Sequence, residues 1–235
     1  MPVSHQEAIA ILTAPGAQFE THLISIAGFE VTAFKNSPNN LREVFDLSRT
    51  RGESVFVVYE DERWTFDETM KHVDAVAAML VNTYGIKKGD RVAIAMRNYP
   101  EWVISFAAIL SIGAVSVSFN AWWTQDENDF ALEDSGAKVL LCDEERAERS
   151  AKSIARLGIH GVVCRSTKPL LEGFDRWEDA IMLGEAMPAV DIAPDDDATI
   201  LYTSGTTGRP KGAVSTHRSI IQALLGFSCR TTIQN

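Results

Sequence analysis

From Trp102 to Gln125 the chain carries no charged residue. A run of that length must be buried, either in lipid or in a protein core, since about 20 apolar residues already span a bilayer. The residues inside it decide between the two. Ser105, Ser111, Gly113, Ser116, Ser118 and Asn120 interrupt the apolar sequence. Pro100 suits the first turn of a helix and Gly113 suits its end. After it, the stretch Ala114 to Phe119 alternates β-branched residues with small ones and reads as a buried strand. A helix, a tight turn and a strand within an α/β core account for the run, and no transmembrane segment is expected.

The rest of the chain repeats that alternation. Ser37 and Pro38 offer a cap and first position for a helix carrying Leu41, Val44 and Phe45. Ser54 to Tyr59 reads as a strand with Arg63 to Phe66 as its hairpin partner. Thr65-x-x-Glu68 is a capping box, and Phe66, Met70, Val73, Ala77, Leu80 and Tyr84 then fall on one helical face. Strands are expected at Arg91–Met96, Lys138–Cys142, His160–Cys164 and Thr199–Thr203. Helices are expected from the second capping box, Thr124-x-x-Glu127, to near Gly136, over Glu144–Leu157, and over His217–Phe227. Strands alternating with helices imply crossover connections, hence an α/β fold with a largely parallel sheet flanked by helices. Such sheets place ligands beyond the carboxyl ends of their strands. Residues 166–197 hold three prolines and the run Asp195-Asp196-Asp197, and read as a linker-like stretch rather than a metal site.

Composition narrows the class of partner. Lys plus Arg is 22 against 32 for Asp plus Glu, a formal net charge of −10. Nucleic acid and anionic membrane surfaces both reward a basic face, so neither is expected as a partner. Three cysteines without metal-ligand spacing read as buried reduced thiols, and the first ten residues lack a basic segment followed by an apolar one. A cytoplasmic location is the expectation.

One loop concentrates chemistry. Leu201-Tyr202-Thr203-Ser204-Gly205-Thr206-Thr207-Gly208-Arg209-Pro210-Lys211-Gly212 follows an expected strand. Glycines let a backbone curl so that several N–H groups point inward. Those groups and the hydroxyls of Thr203, Ser204, Thr206 and Thr207 can surround phosphate oxygens. Lys211 adds a mobile charge and Arg209 a planar fork. The order is neither that of a Walker A loop, which ends Gly-Lys-Ser/Thr, nor the Gly-x-Gly-x-x-Gly dinucleotide fingerprint. A conventional P-loop phosphotransferase is disfavoured accordingly.

Tyr202 to Gly212 resembles the phosphate-loop signature of the AMP-forming adenylating superfamily, which includes acyl-CoA synthetases, firefly-luciferase-like enzymes and the adenylation domains of peptide synthetases. Upstream, Trp64-Thr-Phe, Gly89-Asp-Arg-Val-Ala-Ile, Asn98-x-Pro-Glu-Trp102, Gly113-Ala-Val and Leu132-Glu-Asp-Ser-Gly-Ala-Lys-Val-Leu140 are similar to the amino-terminal half of those proteins. The resemblance covers about residues 38 to 228, and the pair Thr206-Thr207 favours the acyl-CoA synthetases within it. Ser118 departs from the proline many relatives carry there, which bears on a turn.

The resemblance implies an ATP-dependent ligase. A carboxylate, expected to be a fatty acid, attacks the α-phosphorus of ATP. The acyl-adenylate then yields a coenzyme A thioester. Thr203, Ser204, Gly205, Thr206, Thr207, Gly208 and Lys211 would hold the β- and γ-phosphates, with Mg2+ bridging them and no metal ligand supplied by this chain. It also implies the amino-terminal part of the large domain of an acyl-CoA synthetase-like fold over 37–235, preceded by an extension at 1–36. Relatives run to roughly twice this length, beyond what a single core supports. The carboxy-terminal domain and its adenylation lysine are therefore expected to be absent, and the isolated chain incomplete for catalysis. A short non-catalytic binding or assembly protein built on the same fold is the alternative. An exposed apolar sheet edge predicts self-association as a homo-oligomer. His217, Trp122 and Trp123 are expected to serve packing and hydrogen bonding rather than a ligand.

Overall fold

A computed structural model describes residues 4–203 and 210–234. Near the start lies α1 (His5–Thr13), whose N-cap Ser4 and Glu7 form a reciprocal capping box. The strands β1 (Thr21–Ile26) and β2 (Phe29–Phe34) then pair antiparallel. Ala27 and Gly28 join them, both at positive φ (50 and 85), the conformation of a tight hairpin turn. This opening unit packs on the last helix of the described chain, α8 (His217–Gln234), where the Phe34 N–H donates to the Gln222 side chain at 2.7 Å.

Helix α2 spans Leu41–Ser48. Its cap is Asn40, not Ser37 with Pro38 as expected from sequence. The Asn40 side chain accepts from the Glu43 N–H, and the Glu43 carboxylate accepts from the Asn39 N–H, so the helix starts where two reciprocal partners sit. A hairpin of β3 (Val55–Tyr59) and β4 (Glu62–Thr65) leads into α3 (Phe66–Asn82), opened by the Thr65–Glu68 capping box.

The central sheet has seven strands among the described residues. They are β5 (Arg91–Ala95), β6 (Val115–Ser118), β7 (Val139–Asp143), β8 (His160–Cys164), β9 (Phe174–Arg176), β10 (Asp197–Thr203) and β11 (Lys211–Thr216). Their order is β11-β10-β6-β5-β7-β8-β9. All neighbours are parallel except β10 and β11, which form an antiparallel hairpin. Helices α4 (Pro100–Ser111), α5 (Gln125–Ser135) and α6 (Glu144–Leu157) supply the crossovers, and the short α7 (Trp177–Ala180) follows β9. The fold is thus α/β with a mostly parallel sheet flanked by helices, as the alternation predicts.

Two cores sit on the two faces of this sheet. On one, Met70, Val73 and Leu80 of α3 and Ile104 and Ile109 of α4 pack on Val92, Ile94, Leu141 and Val162. On the other, Ala131 and Leu132 of α5 and Ala147 and Ile154 of α6 pack on Ala93, Ala95, Leu140 and Val163. Strands covered on both faces read as continuous apolar runs, which is why β7 is legible as Val-Leu-Leu-Cys. The charge-free run is α4, a glycine turn and β6, and no described helix is long and apolar enough to cross a membrane.

A third cluster joins Leu41, Leu110, Ala198 and Ile221, tying α2, α4, β10 and α8 together. His217 reinforces it. The Leu41 N–H donates to His217 Nδ1 at 3.1 Å, and the His217 N–H donates to the Asp196 carbonyl. That ring is buried, so the histidine has the structural role expected of it. The acidic run is distributed among partners: Asp195 pairs with Arg218 and Asp196 with Lys88.

Candidate phosphate-binding site at the carboxyl edge

Because β5, β6, β7, β8 and β10 run parallel, their carboxyl ends share one edge of the sheet. The loop singled out by sequence leaves β10 at that edge. Of its expected phosphate ligands, Ser204, Gly205, Thr206, Thr207 and Gly208 lie outside the described residues. Thr203 and Lys211 lie inside, and the hairpin brings them opposite each other as a register pair. The Thr203 hydroxyl donates to the Lys211 carbonyl at 3.5 Å. Both residues are exposed, so the ends of the loop face solvent and an anion has access. Strand β11 was not expected from sequence. Lys-Gly-Ala-Val-Ser-Thr buries no residue and shows no apolar alternation, which is what an edge strand looks like.

The β10 end of the loop is held from below. The Tyr202 hydroxyl donates to Asp134 Oδ2 at 2.7 Å. Its ring meets the edges of Trp123 (centroids 5.8 Å apart) and Phe130 (6.5 Å). Burial, then the bond to Asp134, pushes the Tyr202 phenol well above its ordinary range, so it stays a donor at any physiological pH.

The same edge carries a cleft of about 550 Å3 that sequence reasoning missed, lined by Tyr59, Arg97, Asn98, Tyr99, Ala121, Trp122 and Glu145. It lies where the strand order reverses, outside β5 and β7, the place where parallel sheets commonly take ligands. Arg97 stacks 4.0 Å over the Trp122 ring. Trp122 is 71% exposed, so it is no packing anchor, contrary to expectation; Trp123 next to it packs against Phe119 and Tyr202. The only sequence signal was the turn Arg97-Asn98-Tyr99 between a strand and a proline-started helix.

Ion pairs brace this cleft. Asp143 ends β7 and accepts from the N–H groups of Arg97 and Arg146 and from the buried Arg146 guanidinium, which also donates to the Ala121 carbonyl. Arg165, at φ 54, holds Glu62 and Glu101 at 2.8 to 3.0 Å. It lies over the rings of Tyr59 and Tyr99. Hydrogen bonds to Glu62 raise the Arg165 guanidinium above its usual value and lower Glu62 below its own.

Among the described residues no group of three or more His, Cys, Asp or Glu side chains could hold a metal ion.

Residues 45–235 match the family described as AMP-binding enzyme, and the chain belongs to that family. It is 35% identical over 164 residues to a 2-succinylbenzoate–CoA ligase of Bacillus velezensis, covering 70% of this chain and 31% of the relative. It is 35% identical over 170 residues to a long-chain-fatty-acid–CoA ligase of Mycobacterium tuberculosis, covering 69% and 31%. Among solved structures, an anthranilate–CoA ligase in complex with anthranoyl-AMP superposes with a TM-score of 0.69 at 26% identity, over 76% of this chain and 35% of that one. The chain thus spans about a third of the length of these relatives, and what they share with it is the amino-terminal portion.

Proposed function

We propose that the loop joining β10 to β11 holds the β- and γ-phosphates of ATP in an AMP-forming carboxylate–CoA ligase of which this chain is the amino-terminal portion. The observation that supports this most is the pairing of Thr203 with Lys211 at an open hairpin on the carboxyl edge. That pairing sets a hydroxyl and an ammonium at the two ends of a glycine- and hydroxyl-rich bend. Thr203, Ser204, Gly205, Thr206, Thr207 and Gly208 would offer donors, and Lys211 a charge that opposes build-up on departing pyrophosphate. Mg2+ would screen the phosphates from one another, and coenzyme A would accept the acyl group as co-substrate.

The carboxylate's identity is the finer point. Relatives named for an aromatic dicarboxylate, a fatty acid and an aromatic amino acid carry similar amino-terminal portions. A fatty acid is our reading; the Thr206-Thr207 pair supports the broader class of acyl-CoA synthetases. The readout that tests the site is calorimetric titration with MgATP. Lys211→Ala should weaken binding by at least about tenfold, the loss of one charge-assisted contact. Unchanged affinity in that variant would refute the assignment.

A further inference from the structure

The hairpin that carries the loop is poorly supported by the sheet. Parallel pairing of β6 with β10 stops at Ser118 opposite Leu201. Beyond Leu201 the backbone of β10 pairs with β11 alone, and β11 is the last strand of the sheet among the described residues. The ladder therefore ties the end of β10 to no inner strand of the sheet. The next residue, Tyr202, turns its side chain to the α5 side of the sheet, opposite to Thr203. There its hydroxyl meets Asp134 at 2.7 Å, while Trp123 and Phe130 flank its ring.

The helix end that carries Asp134 is tied to the sheet. Helix α5 ends at Gly136, in the left-handed conformation at φ 60. The Arg91 guanidinium of β5 donates to the carbonyls of Ser135 (2.9 Å) and Gly136 (3.2 Å). A Cβ on Gly136 would stand 2.9 Å from Arg91 Nη2, and the left-handed φ of 60 there favours glycine. A chain of contacts thus runs from the centre of the sheet through Arg91, the end of α5, Asp134 and Tyr202 to the residue before the loop.

We propose that Tyr202 and Asp134 are positioning residues: their hydrogen bond aims the phosphate loop, and its loss weakens polyphosphate binding without unfolding the protein. The inference rests on the phosphate-loop reading and adds to it the device that orients the loop. A pre-aimed loop binds more tightly because less conformational freedom is lost on binding.

The test is titration of the protein with sodium tripolyphosphate, alongside thermal melting. Tyr202→Phe keeps the ring and removes only the donor. Asp134→Ala removes the acceptor, whereas Asp134→Asn retains an acceptor oxygen. Tyr202→Phe and Asp134→Ala should each weaken binding about fivefold, with melting little changed, and Asp134→Asn should stay within about twofold of the parent. The double variant Tyr202→Phe/Asp134→Ala should bind no more weakly than either single, because both break the same bond. Parent-like affinity in Tyr202→Phe, with Lys211→Ala losing tripolyphosphate, would overturn the positioning role and leave the phosphate loop standing. A fall in melting temperature with unchanged affinity would also overturn it. No tripolyphosphate binding by the parent would sink the phosphate-loop reading, and the positioning role with it.

Discussion

Strands β7 and β11 belong to one sheet and are built on opposite terms. Every residue of β7 is buried, with helices on both faces and a parallel neighbour on each side. No residue of β11 is buried, and it pairs with β10 alone among the described strands. The difference separates two tasks. The interior half of the sheet supplies burial, and the outer hairpin supplies an open bend at the carboxyl edge. Stability and the candidate site therefore depend on different residues, and substitutions should be able to separate them.

The largest effect expected is in the interior. Leu141 is fully buried against α3 and α4, and Leu141→Ala should cost about 2 to 5 kcal/mol of stability, read by chemical denaturation. In the folded fraction, polyphosphate affinity should be unchanged. Val214 on β11 is half exposed, and Val214→Ala should stay within about 0.5 kcal/mol. Comparable losses at the two positions would break the contrast.

Between those extremes lies His217, which joins the two regions. Burial pushes its imidazole below the ordinary value; Asp196 acts the other way and Lys88 with burial. The Leu41 N–H donates to Nδ1, so the folded state holds the ring neutral. The unfolded chain takes up a proton near the ordinary value of about 6.5. Stability from this group is thus fully present above about pH 6.5 and is lost as pH falls through that value toward the lower folded pKa. Melting temperatures followed from about pH 8 to about pH 5.5 should fall more steeply for the parent than for His217→Gln. Parallel slopes would show that His217 contributes nothing in this window.

How much of this was legible in the sequence follows the same division. The interior elements announced themselves. Two capping boxes, the apolar face of α3 and the apolar runs of β5, β7 and β8 are local signals that tertiary packing reinforces. Helix α6 spans Glu144–Leu157, the bounds read from sequence. Elements at the periphery were missed because little burial marks them: β1 and β11 bury no residue and β2 buries one. Helix α1 was missed although Ser4-x-x-Glu7 carries the same capping signature as the two that were read. For the candidate site, the loop was legible because its chemistry is written in consecutive residues. The anchor at Asp134 and the cleft at Arg97 and Trp122 were not, because each joins residues from distant parts of the chain: 68 positions separate Tyr202 from Asp134.

Amide chemical shifts, followed by NMR during titration with MgATP, test the central claim most directly. The account predicts that the largest changes fall on the backbone N–H groups from Thr203 to Gly212 and that tripolyphosphate reproduces them. Shifts concentrated around Arg97 and Trp122, with the amides of the β10–β11 loop unmoved, would contradict it.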